Sequence, residues 1–147
     1  MVFIIIAINA DKHIFSDPDT KNRKNNIRIL RKLSKDNILI NISDKKHISN
    51  NLIKKFIARL RTKNLCRKHN IEFDYIIFYE NAKDRSELYK NYKIDYIIED
   101  DPDIINNSDR NKIIVLTNKT NKHIPGIRIS KIADLENLLF RLSKNIQ

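Results

Sequence analysis

The sequence predicts an α/β fold: a three-layer, doubly wound, Rossmann-like sandwich built on a parallel five-stranded sheet, with no sizeable cap domain. Three observations carry this expectation. Five short runs are almost continuously apolar, as strands covered on both faces are. The segments between them space their apolar residues as helices do. The two kinds then alternate from end to end, the pattern of right-handed βαβ crossovers.

The first run, Phe3–Ile8, lies in "MVFIIIAI". It is short, has no basic lead-in and no small-residue cleavage site, and so reads as a core strand and not a signal peptide. A helix is expected over Arg23–Ser34, where Ile27, Leu30 and Leu33 share a face. It fills the connection to the second strand, Ile38–Ile42, and leaves no space for a cap. The second helix, Asn50–His69, aligns Leu52, Ile53, Phe56, Ile57, Leu60 and Leu65, with Ser49 as its N-cap. The third strand is Tyr75–Phe78, followed by a short helix over Asp84–Tyr92. The fourth strand, Tyr96–Ile98, is followed by a weaker helix over Asp103–Asn107. The fifth strand is Ile113–Leu116, and the last helix spans Lys131–Leu142. No linker, repeat or low-complexity tract divides the 147 residues, so a single domain over 1–147 is expected.

Composition narrows the function classes. Hydrophobic residues make up 41% and charged residues 32%, which argues against disorder, and no apolar stretch approaches a membrane span. Cys66 is the only cysteine, which excludes an internal disulfide and a multi-cysteine zinc site; packing is its expected role. The four histidines are scattered, and a surface role is expected for His13. Three Asn-X-Ser/Thr triplets are what an asparagine-rich chain produces by chance. A cytoplasmic location without a membrane partner follows as the default. The net charge of +11 would suit a nucleotide, a nucleic acid or another polyanion. A chain saturated in Ile, Asn and Lys, with one Gly and no Trp, also carries such a charge through AT-rich coding alone. That explanation comes first, because the lysines form no aromatic-interleaved stripe.

The strand ends hold the chemistry. After the first strand come Asn9 and Asp11; after the second, Ser43, Asp44 and Lys45. Lys83 lies beyond the third, and "EDDPD" (Glu99, Asp100, Asp101, Asp103) follows the fourth. In a doubly wound sheet these ends converge on one crevice. Carboxylates there suit a divalent metal, while a hydroxyl and an ammonium suit phosphoryl oxygens. Taken singly, each residue has a plainer reading: Ser43 as a turn residue, Lys83 as a solvated lysine, Asp101 or Asp103 as a helix cap.

In this order the motifs resemble the haloacid dehalogenase-like (HAD) superfamily, closest to its capless phosphatases related to 5′(3′)-deoxyribonucleotidases. "IIIAINADKHIF" stands where the family has a strand ending in Asp-x-Asp-Gly-Thr. "KDNILINISDK" resembles its hydroxyl-bearing motif, and "KIDYIIEDDPD" its acidic metal motif. "CRKHNIEFDYIIF" is similar to its long helix and third strand, and "HIPGIRISKIADLENLL" to its C-terminal strand and helix. The resemblance implies a phosphomonoester site. Asn9 falls at the nucleophile position and Asp11 at the general acid/base position. Ser43 and Lys83 are implied to bind phosphate, with Lys45 at the family's following Arg. Mg²⁺ is implied to rest on the Asp11 backbone carbonyl, Asp100 and Asp101.

The first motif departs from the family. The amide of Asn9 is a poor nucleophile and removes one negative charge from the metal site, and Lys12-His13 replaces Gly-Thr. The expectation is therefore a nucleotidase-like HAD scaffold with impaired activity, a pseudoenzyme with weakened Mg²⁺ binding. Its partner would be a phosphorylated small molecule or nucleotide. The alternatives are an active phosphatase, using Asp11, Asp17 or Asp19 from a shifted geometry, and a basic non-catalytic module that binds polyanions.

Overall fold

A computed structural model describes residues 3–44, 51–79 and 82–145, without the side chains of Asp44, Ala82, Lys83 and Ser86. The chain is α/β with an all-parallel six-stranded sheet. Its strands are β1 (Ile5–Ile8), β2 (Ile38–Asp44), β3 (Tyr75–Tyr79), β4 (Tyr96–Glu99), β5 (Ile113–Leu116) and β6 (Ile127–Ile129). Five strands are expected from the apolar runs. The sixth escapes that criterion because it is three residues long with Arg128 at its centre. Arg128 reaches back to Thr117 Oγ1 at 3.1 Å and to the Ile124 carbonyl, so its charge is held at the sheet margin. β6 is preceded by the single glycine, Gly126, whose φ of 150° lies where side-chain-bearing residues are strained.

The strand order is β3-β2-β1-β4-β5-β6. The chain thus steps outward from β1 to β3, returns to the other side of β1, and steps outward again. Next to β1 and β4 this reversal opens a crevice at the strand C-termini. Register within the sheet is set at the opposite end by a repeated tetrapeptide, Asp-Tyr-Ile-Ile, at residues 74–77 and 95–98. The Asp74 carboxylate accepts the Leu39 N–H at 2.9 Å, and the Asp95 carboxylate accepts the Ile5 N–H at 2.8 Å. Each Asp N–H returns a bond to the same residue's carbonyl. Two free strand-start groups are satisfied at each site, which pins β3 on β2 and β4 on β1.

The helices are α1 (Thr20–Asp36), α2 (Leu52–His69), α3 (Ala82–Asn91), α4 (Pro102–Asn106) and α5 (Leu135–Lys144). Strand residues alternate between two buried clusters. Ile6, Ile8, Leu39, Ile98 and Ile114 pack with Ile27, Leu30 and Leu33 of α1 and with Leu135, Leu138 and Leu139 of α5. Ala7, Ile40, Ile42, Ile97 and Ile113 pack with Tyr89 of α3 and Ile105 of α4. Helices therefore cover both faces, which is why the strands read as unbroken apolar runs.

The α2 expectation needs correcting. Leu52, Ile53 and Phe56 are 77%, 69% and 63% exposed, and Ile57 and Leu60 are also exposed. The helix buries Thr62 and Cys66 instead, both in its C-terminal half. Its N-cap is Asn51, whose side chain accepts the Ile53 and Lys54 N–H groups; Ser49 lies outside the described residues. Asn70 ends it in the left-handed conformation, φ 53°, the one residue type besides glycine that does so readily. The last helix also starts later than expected, after a 3₁₀ turn over Ile132–Asp134. Among the described residues no helix is long and apolar enough to cross a membrane.

Candidate functional site

The crevice is built on the tight turn that follows β1. Asp11–Phe15 forms a five-residue π-helical turn, so Lys12 and His13 pass through it at negative φ. Among the described non-glycine residues only Asn70 and Lys93 have positive φ. The turn therefore does not require a glycine at position 12.

Asn9 is consumed by this turn. Its side-chain oxygen accepts the Lys12 N–H at 3.1 Å, and its carbonyl accepts the His13 N–H at 2.9 Å. An Asn at the head of a helical turn takes this cap arrangement readily. Behind it, the fully buried Asn41 of β2 accepts the Ala10 N–H at 2.9 Å and donates to Ser43 Oγ at 3.2 Å. Asn41 thus fixes the turn to β2 and orients the serine. The sequence reading passed it over; a single amide inside an otherwise apolar strand was the available signal.

Asp11 and Ser43 meet as expected. Ser43 Oγ donates to Asp11 Oδ2 at 2.7 Å, and Thr62 Oγ1 of α2 lies 3.5 Å from Oδ1. Thr62 was not foreseen because it is a polar residue facing inward on a basic helix. The Asp11 backbone carbonyl accepts both the Ser16 N–H, at 3.2 Å, and the Ser16 hydroxyl. Lys45 lies outside the described residues. Lys83 sits in the first turn of α3, and its side chain likewise lies outside the description. Asp17 and Asp19 work at the entry to α1: Asp19 accepts the Asn22 N–H at 3.0 Å, and Asp17 accepts the Asp19 N–H at 2.9 Å.

On the β4 side the acidic turn is organised from within. Glu99 is 3% exposed and pairs with the equally buried Arg85 of α3. Its other oxygen accepts the N–H groups of Asp100 and Asp101, both at 3.0 Å. Arg85 also donates to the hydroxyls of Tyr79 and Tyr89 and lies over both rings. Burial opposes the Arg85 charge, but the neighbouring Glu99 outweighs it and holds the guanidinium pKa up. Glu99 is therefore a positioning residue that shapes the turn. The Asp100 carbonyl is held from β5–β6 by Asn121 Nδ2 at 2.9 Å and Asn118 Nδ2 at 3.3 Å.

Asp100 faces the β1 turn. Lys12 Nζ reaches its Oδ1 at 2.7 Å. Burial alone would raise the Asp100 carboxyl, but the Lys12 hydrogen bond and the positive charge around it keep it below the usual range. Burial likewise opposes the Lys12 charge, yet the bond to Asp100, backed by Glu99 and Asp101, holds its pKa above the ordinary value. His13 is not at the surface, contrary to expectation. Its side chain is 5% exposed with Nε2 3.8 Å from Asp100 Oδ1, because the π-helical turn rolls residue 13 inward. Burial, helped by Lys12 and Arg85 and opposed by Asp100, pushes its imidazole down to about 4. Asp101 caps α4 through the Asp103 N–H at 2.9 Å.

An open cavity of about 1020 Å³ lies above these groups. Asn9, Asp11, Lys12, Ser43 and Asp101 form its floor, while Lys54, Ile57, Arg61 and Leu65 of α2 form a wall that is part basic and part apolar. The arrangement offers hydroxyls, a lysine ammonium and α2 cations to an anion, with apolar surface beside them.

The Mg²⁺ ligands that the resemblance implies are engaged with other partners. The Asp11 carbonyl already accepts two bonds from Ser16. Asp100 carries an ammonium, Asp101 caps a helix, and the neutral Asn9 side chain caps the turn. Only His13, Glu99 and Asp100 bring ligand atoms within 4.8 Å of one another, among the described residues. Of these, Glu99 is committed to Arg85. Among the described residues no buried side-chain nitrogen or oxygen lacks a hydrogen-bond partner, so no buried ligand atom is left waiting for an ion. Comparisons with protein-family models, with curated proteins and with solved structures each find no match to this chain.

Proposed function

We propose that the chain is a doubly wound, HAD-like, nucleotidase-like protein whose crevice receives a phosphate group, borne by a small molecule or nucleotide, with little or no phosphatase activity. One observation carries the reading. The side chain at the phosphate-acceptor position, Asn9, is neutral, and its oxygen is spent on the Lys12 N–H, while Asp11 and Ser43 stay assembled beside it. An amide oxygen held in this way is neutral and turned toward the backbone, and it lacks the charge that in-line attack on phosphorus needs. The strand reversal next to β1 and the cationic α2 wall support the phosphate-binding part of the proposal. Phosphate release from p-nitrophenyl phosphate and deoxynucleoside monophosphates tests it. The wild-type protein is expected to release none above buffer, and Asn9→Asp/Lys12→Gln with Mg²⁺ present to gain measurable turnover. Wild-type turnover that vanishes in Asp11→Ala would establish the active-phosphatase reading instead.

A second reading rests on α2. This helix carries seven Lys and Arg residues and no Asp or Glu, and its apolar residues Leu52, Ile53 and Phe56 are exposed. Under this reading α2 is a docking helix for a polyanion, and the crevice is vestigial. It predicts binding to heparin or single-stranded nucleic acid that falls steeply with salt and is unchanged in Asp100→Asn. Loss of binding in that variant would return the function to the crevice.

A further inference from the structure

We infer that Lys12 supplies the crevice with its own cation and keeps divalent metal ions off Asp100. The inference rests on the phosphate-site reading above and goes beyond it, because it changes what the site requires. Three features on separate elements point the same way. Lys12 Nζ lies 2.7 Å from Asp100 Oδ1, on the acidic turn after β4, the strand beside β1. The Asp11 carbonyl, the backbone ligand such an ion would take from the β1 turn, is closed by Ser16. Asn9 offers only a neutral amide from β1, where a carboxylate would strengthen a divalent ion's site.

These features are mutually consistent. A site that keeps its acidic turn but loses a carboxylate on β1 needs less positive charge to balance it. One ammonium on a flexible stem meets that need. It comes from the turn residue at which the chain no longer requires glycine. Lys12 remains 54% exposed, so it can hold Asp100 and still face an anion entering the cavity. Anion binding here is then independent of metal and insensitive to chelators.

The test uses Mn²⁺ alone, followed by electron paramagnetic resonance, with no phosphate present, so its outcome does not depend on whether the crevice takes a phosphate. The wild-type protein is expected to show no saturable Mn²⁺ binding. Lys12→Gln should gain one site, and Asn9→Asp/Lys12→Gln should bind on the order of tenfold tighter again, as a second charge returns close to the ion. Asp100→Asn on either background should abolish the gain. Lys12→Arg keeps the charge and should stay metal-free; its circular dichroism and that of Lys12→Gln should match the parent. Saturable, Asp100-dependent Mn²⁺ binding by the wild-type protein would overturn the inference. So would a folded Lys12→Gln that gains nothing, because something other than the ammonium would then exclude the metal.

Discussion

At the end of β1 stands the neutral amide of Asn9, and its structural consequences are local. Asn9 caps the turn through the Lys12 N–H, and the turn in turn delivers two side chains of opposite character. Lys12 goes outward to Asp100, and His13 goes inward under it. The inward histidine makes a pH prediction. Its folded pKa is depressed from 6.5 to about 4, so between those values the unfolded chain binds the proton and the folded chain does not. Stability is full above pH 6.5 and falls as the pH drops toward 4, by about 3 kcal/mol from this residue. His13→Asn should flatten that part of the profile in urea titrations taken across the range. An unchanged acid limb would mean that the imidazole is protonated in the fold. The charged groups that face it are Asp100, Glu99, Lys12 and Arg85, and the two carboxylates favour the proton. Much of this was legible beforehand: Asn9, Asp11, Ser43 and Asp100 can be picked from the sequence because each follows an apolar run. The inward roll of His13 was not legible, because it depends on a five-residue π-helical turn in place of an ordinary one.

At the scale of elements, α1 and α2 show why apolar spacing alone does not settle burial. Both present an apolar face in sequence. Leu30 of α1 is 1% exposed and packs between the sheet and α5, whereas Phe56 of α2 is 63% exposed. The difference lies in what each helix buries: α1 packs its apolar face on the sheet, whereas α2 buries Thr62 and Cys66 and leaves its N-terminal apolar residues exposed, some along the crevice wall. Leu30→Ala is therefore expected to lose about 2–5 kcal/mol, and Phe56→Ser to change stability by no more than about 0.5 kcal/mol, both by urea denaturation. A large loss in Phe56→Ser would mean that α2 is covered. The buried Arg85–Glu99 pair is the other element-scale feature. Neither residue is marked in sequence as a partner of the other, fourteen positions apart. Yet their bond ties α3 to β4 and, through the Asp100 and Asp101 N–H groups, shapes the acidic turn.

Across the whole molecule, the parallel sheet and its alternating helices follow from the apolar runs, which sit within a residue or two of the observed strands at all five positions. The sixth strand is hidden by its length and its central arginine. The strand order is what gathers the distant motifs. With β1 between β2 and β4, residues 9–13, 41–43 and 99–101 meet at one edge although about 90 positions of chain separate the extremes. What the sequence alone conceals is how these groups satisfy one another. Asp11 with Ser43, Lys12 with Asp100, and Glu99 with Arg85 form a closed set of partners.

The most direct measurement is a search for a covalent phosphoryl adduct. The wild-type protein would be mixed with Mg²⁺ and acetyl phosphate, quenched in acid, and weighed intact. No adduct is expected on the wild-type chain, and an aspartyl phosphate at residue 9 is expected in Asn9→Asp/Lys12→Gln. A phosphorylated wild-type chain, with the group mapped to Asp11 or any other crevice carboxylate, would contradict it.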